Sequence, residues 1–289
     1  AKYNGHFNAE ELLNQALLTY ANSRKDDFYD LLPISPLPNE TEVKGMYPSI
    51  DTAIVKCSKV IKNHSMPSTE DMSMKEAEHN KWIDENWITV GKAMFYRRDY
   101  DKALKNFQFV KRFFQKDPSR YIAELWIARI YIEQNKFSEA KLLLDELQET
   151  ALTQKKSSLK SVLALFKKKD PTVEVAPKMS KGLQLEIFKT QADLAVKRKQ
   201  FGEAAFSLTN AVAKSNNKQD KARLHFILGQ IYQQSGQIDS AQYNYSKALS
   251  AAALYEVSFN ARLNRAMLGN NSKLSKGLDK MLKDAKNAP

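Results

Sequence analysis

Cysteine, glycine, late proline and long apolar runs are all scarce in these 289 residues, and each scarcity closes a class of explanation. Cys57 stands alone, which excludes an internal disulfide framework and a zinc site built on paired thiolates. Its neighbours Ile54, Val55, Val60 and Ile61 are apolar at helical spacing, so the thiol is expected to be buried and structural. Glycine supplies 9 residues, and Gly182, Gly202, Gly229 and Gly236 are single, so no phosphate-cradling loop exists. Gly202 and Gly236 fall where hairpin turns are expected. Four of the nine prolines lie between Pro33 and Pro48 and none between Lys178 and Ala288, leaving the second half free of helix breakers. No apolar run approaches the ~20 residues of a membrane-spanning helix, and no signal-peptide pattern opens the chain. It starts at Ala1 rather than Met, so a leader or anchor removed upstream is an open expectation.

What is present is positive charge, apolar residues enough for a sizeable core, and a repeat. The formal net charge is +12, and eight lysines between Lys155 and Lys181 face only Asp170 and Glu174 there. Such a surplus points to acidic partners, nucleic acid or an anionic surface. The repeat is carried by four turns in which a large apolar residue is followed three places on by alanine: Tyr100 and Ala103, Phe137 and Ala140, Phe201 and Ala204, Ile238 and Ala241. Twelve residues before each alanine stands Gly91, Ala128, Ala192 or Gly229, and four after it Phe107, Leu144, Leu208 or Tyr245. Two small residues let a pair of helix backbones approach closely, while the large ones fill the seam between neighbouring hairpins.

This pattern resembles the tetratricopeptide repeat over about half the chain, which implies an all-α stack of helical hairpins. It is matched at Trp87, Val90, Gly91, Ala103 and Phe107; at Ile127, Ala128, Tyr131 and Ala140; at Phe188, Ala192, Ala204, Leu208 and Ala211; and at Leu228, Gly229, Tyr232, Ala241, Tyr245 and Ala248. Ala103 to Ala140 and Ala204 to Ala241 are each 37 residues apart, against a family period of about 34. The expected organisation is an N-terminal helical cap over 1–82, a first repeat pair over 83–150 and a Lys-rich insertion over 151–182. A second repeat pair over 183–254 and a helical hairpin over 255–289 complete it. Within the cap, Asn8 with Glu11 predicts a helix to about Ser23, and a second helix is expected over Ser49 to His64. Between them Phe28 to Pro38 must run extended because of its prolines, either laid along the stack or offered to a partner. Within the insertion, Leu159, Val162, Leu163 and Phe166 predict a partly amphipathic helix, and 169–177 a loop.

The N-terminal third carries a second resemblance. Tyr3-Asn-Gly-His-Phe-Asn8, Asp26 to Ile34, Ala53 to Met66, Trp87 to Gly91 and Phe95 to Leu104 are similar to the SprE/PorW lipoproteins of the Bacteroidetes type IX secretion and gliding apparatus. The resemblance implies a periplasmic protein lipidated just upstream of this start and held at the outer membrane. It also implies a role in cargo export and gliding, linking periplasmic ring components to the outer-membrane translocon. The lipidated cysteine is not among these residues.

No catalytic constellation emerges. His6, His64, His79 and His225 are scattered, Glu76-Ala-Glu78-His79 lacks the spacing of two histidines on one helix face, and no serine is flanked by glycines. Neither an enzyme, a metal nor a cofactor is expected. The first helix of each hairpin would line a concave groove. The register places there Lys92, Phe95 and Tyr96; Leu125, Arg129 and Ile132; Lys189, Asp193 and Lys197; and Arg223, Phe226 and Gln230. Mixed basic and aromatic residues suit an extended peptide or partner helix of acidic character. Ile88, Leu125, Lys189 and Phe226 do not reproduce the Asn/Lys carboxylate clamp of chaperone-docking relatives, which disfavours capture of a free C-terminus. Lys155, Lys156, Lys160, Lys167, Lys168 and Lys169 of the insertion would form a docking patch, an anionic-membrane contact or a solvated loop. An alternative function is a helical-repeat protein binding nucleic acid or a cytosolic partner through its basic surface. With Phe166 the sole aromatic in the insertion and no arginine there, nucleic acid is the less expected partner.

Overall fold

The computed structural model describes residues 2–65, 82–163, 177–250 and 254–269. Among these the regular structure is eleven helices and no strand: α1 (Lys2–Ser23), α2 (Glu40–His64), α3 (Ile83–Tyr96), α4 (Tyr100–Phe113), α5 (Ser119–Glu133), α6 (Phe137–Leu163), α7 (Lys181–Lys197), α8 (Phe201–Lys214), α9 (Lys218–Gln234), α10 (Ile238–Ser250) and α11 (Tyr255–Met267). They fall into two compact units. One holds Ala1–Lys25 and Pro36–Ser180, the other Asp26–Ser35 and Lys181–Pro289. The N-terminal stretch is therefore divided: its ten-residue middle belongs to the second unit, while the helices on either side belong to the first. The expectation that Phe28 to Pro38 runs extended is corrected at its start, where the chain turns over Phe28–Asp30 and the Tyr29 amide donates to Asp27 Oδ1 at 3.0 Å.

Each repeat hairpin is closed by the same turn. The chain enters the left-handed region at Arg98 (φ 65°), Asn135 (φ 59°), Lys199 (φ 58°) and Gly236 (φ 71°), always five residues before the repeat alanine. The next amide donates back to the carbonyl five residues earlier, from Asp99 to Met94, Lys136 to Tyr131, Gln200 to Ala195 and Gln237 to Tyr232, over 2.8–3.0 Å. These are Schellman closures, and glycine serves only one of them. The expectation that Gly202 supplies turn freedom is corrected: Gly202 is the second residue of α8, with no positive φ. α4, α6, α8 and α10 each begin on the large residue of a turn motif.

The small-residue positions act through close approach. A Cβ added at Gly91 would lie 2.6 Å from the Phe107 ring, and one at Gly229 would lie 2.6 Å from Tyr245. Where the small residue is alanine, at Ala128 and Ala192, the residue sixteen places on is Leu144 or Leu208 instead of a ring, and all four are buried. Glycine thus goes with an aromatic and alanine with leucine, a volume trade that keeps each seam at interior density.

In the first unit, α1 and α2 form an additional hairpin, stacked on α3 as α4 is stacked on α5. Its boundaries differ from expectation. α1 runs from Lys2, so Asn8 lies inside the helix and caps nothing. α2 starts at Glu40, nine residues before Ser49, because Asn39 and Glu42 form a reciprocal capping box. Pro48 is accommodated within α2, where Val43, Met46, Ile50, Ala53, Cys57 and Val60 bury one face on both sides of it. Apolar clusters in this unit include one around Phe95, Phe107, Val110, Trp126 and Ile130 and another around Leu13, Ile50, Cys57 and Ala93. The second half of the chain has its own cluster around Leu208, Leu224, Phe226, Ile231 and Tyr245.

The expected insertion at 151 has no break there: α6 continues to Leu163. Of the predicted loop over 169–177, residues 169–176 lie outside the described residues, as do residues 270–289 of the expected C-terminal hairpin.

Candidate functional site

The groove residues mapped from the repeat register divide into three groups. In the first unit, Phe95, Leu125 and Ile132 are buried and are corrected from groove to core. Phe95 meets Tyr96, Tyr100 and Trp126 through ring contacts of 5.0–5.6 Å. The helix positions that face the groove also face the neighbouring hairpin, and large apolar side chains there are drawn into the seam. Lys92, Tyr96 and Arg129 remain half-exposed. Lys92 Nζ lies 5.9 Å from the Trp126 ring centre and the Arg129 guanidinium 4.7 Å from it, so two cations share one indole. Trp126 was not singled out in the sequence, although it stands two residues before the small residue Ala128.

On α7, the two mapped lysines pair with acids of the same helix. Lys189 pairs with Glu186 at 2.9 Å, and Lys197 lies 3.9 Å from Asp193. Both are half-buried pairs within one helix, of the kind that adds about 0.3–0.5 kcal/mol. Of the basic insertion, Lys155, Lys156 and Lys160 fall on the backbone of α6, while Lys167, Lys168 and Lys169 lie outside the described residues.

On α9, the mapped residues already have an occupant. Asp26–Ser35 lies across Arg223, Phe226 and Gln230, all three drawn from one face of the helix. Both Arg223 terminal nitrogens donate to the Asp26 carboxylate, and Nη2 also donates to the Pro33 carbonyl at 3.1 Å. The two side chains are 22% and 11% exposed, so this bidentate pair is largely removed from water. Phe28 meets Phe226 edge-on at 5.4 Å. The Gln230 amide reads the main chain in both senses: Nε2 donates to the Asp30 carbonyl at 2.7 Å, and Oε1 accepts from the Leu32 amide at 3.0 Å. Leu32 and Ile34 are buried in the second unit's core, while Pro33 between them is exposed, the two-residue alternation of an extended strand-like segment. Phe226 is wholly buried, so its ring serves both the groove and the seam with Tyr245. Sequence reading mapped the receiving face and the extended segment separately. Their meeting spans 190–200 residues, a separation that no local pattern reports.

Other titratable groups are explained by burial. Cys57 is fully buried, and loss of hydration pushes its thiol up to about 12, which leaves it unreactive. Near α1, His6 Nε2 lies 3.8 Å from Glu10 and 3.5 Å from Glu85. Burial first, then the negative charges of Asp84 and Glu10, push the Glu85 carboxyl up to about 7. Burial also raises Asp84 and lowers His6, so this cluster holds a proton on an acid near neutral pH. No group of metal-ligating side chains occurs among the described residues, and no helix among them is long and apolar enough to cross a membrane.

No family model and no curated protein sequence matches the chain. Among solved structures it is similar to BtubC (BKLC) from P. vanneervenii, with a TM-score of 0.53 and 13% identity over 86% of this chain and 93% of that one. It is also similar to YrrB, a TPR protein with an unusual peptide-binding site, with a TM-score of 0.44 and 15% identity over 78% and 89% of the two chains. Cut9–Hcn1 of the APC/C is matched over 99% of this chain with a TM-score of 0.46 and 12% identity, but the chain spans only 45% of that one. At such identities the likeness bears on fold alone. The repeat register and the four matching turns make the described fold all-α, built of stacked helical hairpins of the tetratricopeptide-repeat type.

Proposed function

We propose that the protein is a non-enzymatic protein–protein interaction scaffold of the type IX secretion apparatus, joining periplasmic ring components to the outer-membrane translocon for cargo export and gliding. The observation that carries the scaffold reading is the α9 face, where an arginine, an aromatic ring and a glutamine amide hold an extended segment by charge, ring edge and main chain at once. Main-chain hydrogen bonds combined with pockets for alternate side chains are the means by which an extended peptide is recognised. The secretion assignment rests on the N-terminal strings Tyr3 to Asn8, Asp26 to Ile34 and Ala53 to Met66. With it come a location in the periplasm and attachment to the outer membrane through an upstream lipid. Lys92 and Arg129 beside Trp126 are the contact residues proposed for the first unit.

The test is capture from outer-membrane and periplasmic extracts with the full chain as bait. A ring or translocon component is expected to be retained, and K92E with R129E is expected to reduce its capture at least about tenfold, as when rim charges are reversed against a complementary partner. Unchanged capture by the double variant, with its helical signal intact, would remove the first unit's contact. Nucleic acid co-eluting, with affinity falling steeply as salt rises, would favour the basic-surface alternative instead.

A further inference from the structure

The second unit's groove carries more information than an open one, because its occupant shows what it selects. Arg223 takes a carboxylate at Asp26 and Phe226 takes a ring at Phe28, two residues on. Gln230 then fixes the main chain at residues 30 and 32 without regard to side chain, and Leu32 and Ile34 enter the core on alternate positions. Between these anchors Asp27, Tyr29, Asp30 and Pro33 are exposed, Tyr29 at 98%. Beyond the turn over Phe28–Asp30, alternate burial of Leu32, Pro33 and Ile34 with the main chain held by a side chain is the way an extended ligand is bound, and the flanks of this segment belong to the other unit.

We propose that the α9 groove is a peptide-binding site occupied in cis, and that its ligand in trans is an extended acidic–aromatic–aliphatic segment of a partner protein. The matching pattern is an acidic residue, an aromatic two places later, and a leucine and a second aliphatic four and six places after the aromatic. Charge complementarity favours a foreign partner of this kind, since the receiving chain carries +12 overall and meets the ligand's acid with Arg223. Asp26–Ser35 acts as a resident competitor, tethered at high local concentration, so the site is held closed until that segment is withdrawn. This inference rests on the scaffold reading and supplies the ligand class and the control of one of its grooves.

The test uses a fluorescently labelled peptide with the sequence of residues 24–36 and the full-length chain. In D26R/F28A the resident segment is weakened, and this variant is expected to bind the peptide with at least about 100-fold higher affinity than the unaltered chain. Adding R223E should abolish that binding. D26A alone leaves Phe28 and Leu32 in place and should give intermediate affinity, which keeps the test open if the double variant does not fold. Failure of a helical D26R/F28A chain to bind would overturn the proposal. So would equal binding of a peptide in which Asp26 and Phe28 are replaced by alanine. A concentration-dependent dimer of the unaltered chain, removed by R223E, would overturn the foreign partner in favour of a second copy. Loss of secretion-component capture through K92E and R129E is read from the other unit, so the two proposals fail separately.

Discussion

The two units share a repeat register but put it to different uses. In the first, the groove-facing cations Lys92 and Arg129 lie over Trp126 with the Phe95 seam behind them. In the second, Arg223, Phe226 and Gln230 are engaged by a segment some 200 residues away in sequence. The register fixes where a side chain points. What it meets depends on chain that no local pattern reports.

The comparison can be broken most forcefully at Arg223. Arg223→Ala removes the bidentate partner of the Asp26 carboxylate, and should lower stability in urea by about 3 kcal/mol, the low end for a buried pair because Arg223 keeps 22% exposure. Arg129→Ala in the first unit removes a half-exposed cation over a ring and should lower it by only about 0.5–1 kcal/mol. Similar losses from both would mean that the segment contributes nothing to the second unit.

The volume trade offers a sharper test inside the hairpins. Gly91→Ala and Gly229→Ala each press a methyl into a ring 2.6 Å away, and should destabilise by about 1–3 kcal/mol. Phe107→Leu or Tyr245→Leu in the same chain should recover much of that loss, recreating the pairing at Ala128 with Leu144. A double-variant cycle with no coupling would show that the seam is not set by this pair.

The smallest effect separates the units by pH. Glu85 titrates at about 7 in the folded state, above its ordinary value, so the folded protein holds that proton more tightly than the unfolded chain. Its contribution is present at pH 4 and is lost as pH rises through 7. His6, lowered by burial, acts in the opposite sense and loses stability as pH falls below its ordinary range. Glu85→Gln should therefore raise the melting temperature at pH 8 and change it little at pH 5, as calorimetry would show. Equal shifts at both pH values would contradict the raised carboxyl.

Much of the fold was legible because it is written locally. The turn alanines and their large partners mark the starts of α4, α6, α8 and α10, and the small residues mark the close approaches. The turns were less legible: three of the four left-handed residues are Arg98, Asn135 and Lys199, which the Schellman closure tolerates without glycine. Pro48 hid the start of α2, although Asn39 and Glu42 spelled out its cap. The site was legible by half. Arg223, Phe226 and Gln230 share one face of α9, as the register implies, while the apolar bulk of Phe95, Leu125 and Ile132 is buried in the seam. The pairing of Asp26–Ser35 with α9 has no local signal at all, since it depends on where distant chain is brought by the fold.

Hydrogen exchange at the Leu32 amide tests the central claim most directly, because that amide donates to Gln230 Oε1 at 3.0 Å and sits in a buried segment. Protection well above that of an extended peptide is expected, comparable in the unaltered chain with the α9 amides and lost in Gln230→Ala. Exchange at the rate of free peptide in the unaltered chain would contradict a groove filled from within.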